Sequence, residues 1–341
     1  MKALLLNRIC DLNKEISPLL ISELDIPVPA HDEVLLKVKT CGICHTEIDE
    51  IEGRTPPPVF PVIPGHQVIG ELVNNAEDLY LKAGDRVGVA WIYSACGKCT
   101  WCLSGLENLC PEFKATGRDV NGGYAEYMVA KKEFVYPIPD SLTNEEAAPL
   151  LCAGSIGYRS LRLSGITDGM VLGLTGFGAS AHLVMKMIAH KFPHTRVIVF
   201  ARSSEERQFA LELGALWAGD FPDTPPLLPN AIIDTTPVWK PVLESLNHLL
   251  PGGRLVINAI RKESHDMDSW NQLSYTRHLW MEKEIKSVAN VTRQDVREFL
   301  NLAVSIRIKP EVQLYPLKDA NKALAEIKQR KIKGAKVLMV G

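Results

Sequence analysis

Met170-Val-Leu-Gly-Leu-Thr-Gly176-Phe177-Gly178-Ala179-Ser180-Ala181, running on into His182-Leu-Val-Met-Lys-Met-Ile-Ala189, is the stretch on which the fold turns. Met170 to Thr175 reads as a buried strand, and the residues after Ala181 carry a helical apolar stripe. Between them stand a glycine, a second glycine and a third small residue. The first permits a sharp bend, the second lets the backbone approach a pyrophosphate, and the third lets the helix pack on the strand. The helix N-terminus then faces the anion. A lone G-x-G-x-x-A carries little weight; directly after a strand and opening a helix, it predicts a dinucleotide turn.

The text around this turn keeps the same rhythm. Thr195-Arg-Val-Ile-Val-Phe200 and Asn230-Ala-Ile-Ile-Asp-Thr-Thr236 read as further buried strands, and Pro251-Gly-Gly-Arg-Leu-Val-Ile-Asn-Ala259 as a turn and strand. Val242 to Leu250 supplies a crossover helix. Repeated β-α-β with short links predicts a doubly wound parallel sheet, an α/β fold of Rossmann type. The second strand ends at Ala201-Arg202-Ser203-Ser204. NAD enzymes usually place an acidic side chain there for the ribose hydroxyls, whereas a guanidinium with hydroxyls suits a 2′-phosphate. The expectation is a preference for NADP(H) over NAD(H). The competing reading has Arg202 stacking on adenine or capping the helix that begins near Glu205.

A chain of 341 residues is long enough for two domains with separate cores. Hydrophobic residues at 46% and charged residues at 23% argue against disorder. Lys plus Arg (38) against Asp plus Glu (40) leaves a net charge of −2, so nucleic acid is not an expected partner. The opening Met-Lys-Ala-Leu-Leu-Leu-Asn-Arg is too short an apolar run for a signal segment, and no window suits a membrane span. A cytoplasmic location without membrane association is expected, and eight cysteines then favour metal binding over disulfides.

Cys96, Cys99, Cys102 and Cys110 crowd into fifteen residues, with Gly97 and Gly105 supplying turns. Two-residue gaps let successive thiolates wrap one ion, and four sulfurs close a tetrahedral, structural zinc site. An iron–sulfur cluster is the main rival, and Pro111 after the last cysteine suits it. A zinc-ribbon module for nucleic acid is disfavoured, because Glu107, Glu112 and Trp101 do not make a basic, stacking stripe. Elsewhere Cys41 and Cys44 follow the strand-like Glu33-Val-Leu-Leu-Lys-Val-Lys39, His66 follows the Pro64-Gly65 turn, and Cys152 lies in Leu150-Leu-Cys-Ala-Gly154. Two cysteines and a histidine from distant segments, leaving a fourth position open, are the pattern of a catalytic zinc. Each of them taken alone is more often a satisfied core residue, and Cys10 is read that way.

The order of these segments resembles the zinc-dependent alcohol dehydrogenases of the medium-chain dehydrogenase/reductase superfamily, across essentially the whole chain. The family's Gly-His-Glu signature appears as Gly65-His66-Gln67, and its Cys-His-Thr-Asp segment as Cys44-His45-Thr46-Glu47. The resemblance implies catalytic zinc on Cys44 (rather than Cys41), His66 and Cys152, and a second zinc on Cys96, Cys99, Cys102 and Cys110. It implies Thr46 as proton acceptor, Glu47 as the carboxylate orienting the zinc-bound histidine, His45 at the cofactor and Trp91 on a substrate-pocket wall. Three departures follow. Gln67 replaces the glutamate that in some members swings onto the metal, Glu47 is one methylene longer than the usual Asp, and Asp49 stands where many members carry a proton-relaying His.

The same resemblance implies a GroES-like, mostly β catalytic domain over 1–150, with the lobe 96–110, completed by 289–341. A Rossmann domain is expected over 151–288, entered by a helix from Leu151 to Leu163. The final segment is expected to hold a helix from Thr292 to Ile306 and a strand from Ala335 to Val340. The implied activity is interconversion of alcohols with aldehydes or ketones by hydride transfer, with Trp91 favouring small or medium primary alcohols. A polyol or secondary-alcohol dehydrogenase and a non-catalytic zinc- and nucleotide-binding sensor are the alternatives. The chain is expected to be a homo-oligomer, tetramer or dimer.

Overall fold

The computed structural model describes residues 1–329 and 334–341. The chain forms two compact units: Met1–Cys152 with Val291–Ser305 and Lys309–Gly341, and Ala153–Asn290 with Ile306–Ile308.

In the second unit, six parallel strands lie in the order Trp217–Gly219, Arg196–Phe200, Val171–Thr175, Ala231–Asp234, Arg254–Ile257, Glu284–Ser287. The chain builds outward from Val171–Thr175 to one edge, then returns to build the other half. The direction of growth therefore reverses between Val171–Thr175 and Ala231–Asp234, and a crevice opens outside their carboxyl ends. All residues of these two strands are buried, as in sheets covered on both faces. Helices Ala179–Lys191, Ser204–Glu212 and Lys240–His248 make crossovers. The first strand starts at Val171, not Met170, whose N–H closes a turn on the Thr167 carbonyl at 3.2 Å.

In the first unit, the eleven-residue strand Glu33–Ile43 is the spine of a seven-stranded sheet among the described residues. It pairs antiparallel with Val68–Leu72, Tyr127–Lys131 and Ala335–Met339. The C-terminal strand thus enters the sheet beside the spine, and Val312–Pro316 lies parallel to it at the edge. Leu4, Leu36, Val38, Ile63, Val68, Tyr124, Met128 and Leu338 form much of the core beneath. Helix Arg293–Ser305 buries Val296, Phe299, Leu300 and Ala303 on one stripe. The helix expected from Leu151 is preceded by a π-helical turn, Leu150–Gly154, and runs regularly only over Ser155–Ser164.

Candidate active site

Cys44 sits where the spine strand ends, and it caps helix His45–Ile51. Its Sγ accepts the Thr46 N–H at 3.4 Å, while Glu47 Oε2 accepts the Cys44 N–H at 2.8 Å. This reciprocal cap satisfies two free N–H groups of the first turn and fixes the thiol at the helix start. The other Glu47 oxygen, Oε1, lies 2.7 Å from His66 Nδ1, and both side chains are buried. His66 Nε2 is thereby aimed at the sulfurs, 3.7 Å from Cys44 Sγ and 3.4 Å from Cys152 Sγ. Cys152 comes from the π-helical turn, a distortion of the kind often found at functional sites.

The turn carrying His66 is held from behind by glycines. Gly65 has φ +99°, and a Cβ there would lie 2.4 Å from the Tyr124 ring. A Cβ on Gly117 or Gly122 would lie 2.7 Å or 2.0 Å from the Gly65 backbone. Segment 121–124 is sewn to this turn. Gly122 N–H donates to the Ile63 carbonyl at 2.6 Å, Gly123 N–H to Gly65 at 2.9 Å and Tyr124 N–H to Pro64 at 3.0 Å. The role of Gly117, Gly122 and Gly123 was not legible in the sequence, where Asn121-Gly-Gly reads only as a break between strands.

Three donor atoms, one each from Cys44, His66 and Cys152, lie within 4.8 Å of one another. Zinc–sulfur and zinc–nitrogen bonds of about 2.3 and 2.05 Å at tetrahedral angles put sulfur and nitrogen about 3.5 Å apart. The observed 3.7 and 3.4 Å match that spacing. Hydrogen bonding with Cys152, burial and the nearby Glu47 push the Cys44 thiol well up. Burial pulls the His66 imidazole down, but Glu47 and the Cys44 sulfur outweigh it, and its pKa stands well above the usual value. A divalent cation would supply the positive charge that this acidic, partly buried donor set lacks. The residues present fit a Cys2His zinc with one position open.

The four-cysteine cluster is self-contained. Cys99 N–H points at Cys96 Sγ (3.4 Å), Cys102 N–H at Cys99 Sγ (3.5 Å) and Cys96 N–H at Cys110 Sγ (3.4 Å). Backbone N–H groups of Lys98 and Cys99 bring the Cys96 thiol down to about 7, whereas burial pushes Cys102 up to about 12. Sulfur separations of 3.5 and 3.9 Å bracket the ~3.8 Å edge of a four-thiolate zinc tetrahedron. They leave room for one ion and none for a polynuclear iron–sulfur cluster. Glu107 ties the lobe to helix Arg293–Ser305, its Oε1 accepting Arg293 N–H at 2.6 Å and Nε at 3.2 Å.

The remaining site residues of this unit fall into distinct settings. Thr46 is half-buried and His45 exposed. Asp49 is buried, and its Oδ1 accepts from Arg54 Nε at 2.6 Å. Gln67 turns toward the backbone beside Cys41, where a Cβ on Gly42 would lie 2.7 Å from its amide. Trp91 is buried among Ile92, Ala115 and Phe134, with the Arg118 guanidinium 5.2 Å above its ring. Sequence reasoning passed over Arg54 and Glu50. Glu50 lies one turn after Glu47 and is buried beside Trp91. Burial, then the charge on Glu47, pushes its carboxyl well up.

In the second unit the predicted turn is in place. Gly176 has φ +72°, and a Cβ there would crowd Thr235 Oγ1 at 3.0 Å. Phe177 is buried and meets Phe209 edge-on; Gly178 precedes helix Ala179–Lys191. A Cβ on Gly178 would meet nothing within 4 Å, so the backbone there is open to an approaching phosphate. Ala179 and Ser180 open the helix, and buried Ala181 lets it pack closely. At the second strand end Ala201 is buried and Arg202 exposed. The neighbouring hydroxyls are engaged: Ser203 Oγ accepts the Glu206 N–H (3.2 Å) and donates to Glu205 (2.7 Å), and Ser204 Oγ donates to Glu205 (3.3 Å). Arg207 Nη1 donates to the carbonyls of Ala201 and Arg202 at 2.8 and 2.7 Å.

A Cys2His donor set that fits a metal and a glycine turn of dinucleotide type on one chain are the equipment of hydride transfer, the chemistry of a nicotinamide-dependent oxidoreductase. Residues 30–140 match the model of the alcohol dehydrogenase GroES-like domain. The chain is 39% identical to "Probable alcohol dehydrogenase AdhA" of Mycobacterium tuberculosis, over 92% of this chain and 91% of that one. It is 33% identical to an alcohol dehydrogenase of Geobacillus stearothermophilus, over 95% and 96%. A solved cinnamyl alcohol dehydrogenase from Sorghum bicolor superposes with TM-score 0.85 at 25% identity, covering 99% of this chain and 97% of that one. The protein belongs to the zinc-dependent alcohol dehydrogenases of the medium-chain dehydrogenase/reductase superfamily. No helix among the described residues is long and apolar enough to cross a membrane.

Proposed function

We propose that the protein interconverts small or medium primary alcohols and their aldehydes, with two zinc ions per chain and NADP(H) preferred over NAD(H). The observation that carries this reading is the convergence of Cys44, His66 and Cys152 on one tetrahedral corner set. Zinc held there supplies a Lewis acid that stabilises alkoxide charge and polarises a carbonyl. The nicotinamide supplies hydride exchange. Thr46 takes the hydroxyl proton as the alcohol is oxidised, and Asp49, oriented by Arg54, leads it toward solvent. Glu47 holds the His66 ring with Nε2 forward, and Trp91 walls the substrate pocket. His45 and the 176–181 turn bind the dinucleotide. Aldehyde reduction reverses these roles.

The coenzyme preference rests on Arg202, an exposed guanidinium at the end of the second strand with no carboxylate at 201. Glu205 holds both serine hydroxyls, so Arg202 is the side chain left to meet a 2′-phosphate. Catalytic efficiency should be higher with NADPH than with NADH, and Arg202→Ala should cut the NADPH value at least tenfold while sparing NADH. An unaltered ratio in that variant would refute the assignment. For the reaction itself, Cys44→Ala should abolish turnover of an aldehyde panel and lose one zinc, the lobe keeping the other. Full turnover in that variant would end the reading.

A further inference from the structure

A buried ion pair stands at the crevice where the parallel sheet reverses. Asp234 is the last residue of its strand and is fully buried. Its Oδ1 accepts from Thr175 Oγ1 at 2.5 Å, Thr236 Oγ1 at 2.7 Å and Thr236 N–H at 3.1 Å. Its Oδ2 meets the ammonium of Lys262, whose side chain is 4% exposed and whose Nζ also donates to the Thr236 carbonyl at 2.6 Å. Lys262 comes from the segment after Arg254–Ile257, so residues from or following three neighbouring strands meet at one carboxylate. Asn258 N–H adds a bond to the Asp234 carbonyl at 2.7 Å.

This knot lies against the dinucleotide turn. Thr175 is the residue before Gly176. Thr235, between Asp234 and Thr236, donates N–H (3.0 Å) and Oγ1 (2.9 Å) to the Thr175 carbonyl. Its hydroxyl and the Thr236 methyl sit 3.0 and 3.2 Å from where a Gly176 Cβ would be. A buried ion pair is a poor source of stability, because desolvating both charges offsets most of their attraction. What it does supply is fixed geometry: Lys262 bridges the Asp234 carboxylate and the Thr236 carbonyl, which pins this loop beside the turn.

We propose that Lys262 is a positioning residue for the dinucleotide, clamping the Thr235–Thr236 loop against Gly176 so that the crevice is shaped before the cofactor arrives. This rests on the reading of the 176–181 turn as a nicotinamide-dinucleotide site. Lys262 acts through Asp234 and Thr236, and neither hydride nor proton passes through it. Preorganised sites bind more tightly because less ordering remains to be done on binding.

The test is fluorescence titration of the zinc-loaded protein with NADPH and with NADH, for the parent, Lys262→Met and Lys262→Arg, beside thermal melting and steady-state kinetics. Lys262→Met should raise the dinucleotide dissociation constant and its KM about tenfold, with kcat at saturating cofactor within twofold. Lys262→Arg should recover most of the loss. Should Lys262→Met fail to fold, Asp234→Asn/Lys262→Met removes both charges and should show the same weakened binding. Dissociation constants within twofold of the parent, with only the melting temperature lowered, would reduce the pair to a stability element and overturn the proposal. A parent that binds neither dinucleotide would instead remove the underlying reading, and the proposal with it.

Discussion

Glu47 shows how much one side chain carries at this site. One oxygen closes the helix cap on Cys44 and the other holds His66, so a single carboxylate orients two of the proposed metal ligands. Partners of this kind commonly account for 10–100-fold in metal affinity. Glu47→Ala should therefore weaken zinc binding at this pocket by about that factor, read by chelator competition; an unchanged affinity would show that the longer side chain has no orienting role. Glu50 raises the opposite issue. Its folded pKa lies above the unfolded one, so it favours the folded state at acid pH and that contribution is lost as pH rises past the ordinary carboxylate range. Glu50→Gln cannot ionise. Its melting temperature relative to the parent should be higher at pH 8 than at pH 4, and a difference independent of pH would show that Glu50 is not held protonated. The motif around Cys44 made Glu47 legible in the sequence. Glu50 was not legible, because its meaning depends on a helix face being turned inward, next to Trp91 and His66.

At the scale of elements, the cysteines and histidine that the fold brings together were legible and their supports were not. Cys96, Cys99, Cys102 and Cys110 announce themselves because their contacts are local, within one short wrap of chain. The strand-turn-helix at 170–189 is local too. His66, by contrast, depends on Gly117 and Gly122, more than fifty residues away, whose missing side chains allow two backbones to touch. Spacing along the chain carries no mark of that crossing. Gly122→Ala would place a methyl 2.0 Å from the Gly65 carbonyl oxygen, so one backbone must move. Overpacking in so tight a place costs about 3 kcal/mol or more. The variant should melt several degrees lower and lose zinc from the Cys44 pocket while the lobe stays loaded. Parent-like stability and zinc content would mean that the crossing is loose. The engagement of Ser203 and Ser204 by Glu205 was likewise invisible in the sequence, since hydroxyls next to an arginine suit either a phosphate or a carboxylate.

For the whole molecule, two candidate metal clusters of different build predict two different responses to acid. Binding at either requires thiolates, so protons compete with the metal. The pocket offers three protein donors, with Cys44 and His66 both holding their protons strongly; the lobe offers four sulfurs, with Cys96 down at about 7 and Cys102 up at about 12, so the larger number of donors decides the order. Lowering the pH should therefore empty the Cys44 pocket first and the lobe later, giving two steps of zinc release with a metal-sensitive dye. Activity should disappear with the first step. A single step, or loss of lobe zinc while turnover persists, would contradict this order. The parallel sheet was legible from the repeated strand–helix–strand runs, and the mostly β unit was implied by the resemblance. The return of Ala335–Met339 to pair with the spine strand was implied only by family resemblance, because nothing in five apolar-rich residues names their partner.

The claim on which the account depends is that Cys44, His66 and Cys152 share one ion. Anomalous diffraction at the zinc edge from crystals of the zinc-loaded protein tests it directly. Two peaks per chain are predicted, one inside the Cys96–Cys110 wrap and one about 2.3 Å from the sulfurs of Cys44 and Cys152 and about 2.0 Å from His66 Nε2. A fully loaded lobe with no peak between those three side chains would contradict it.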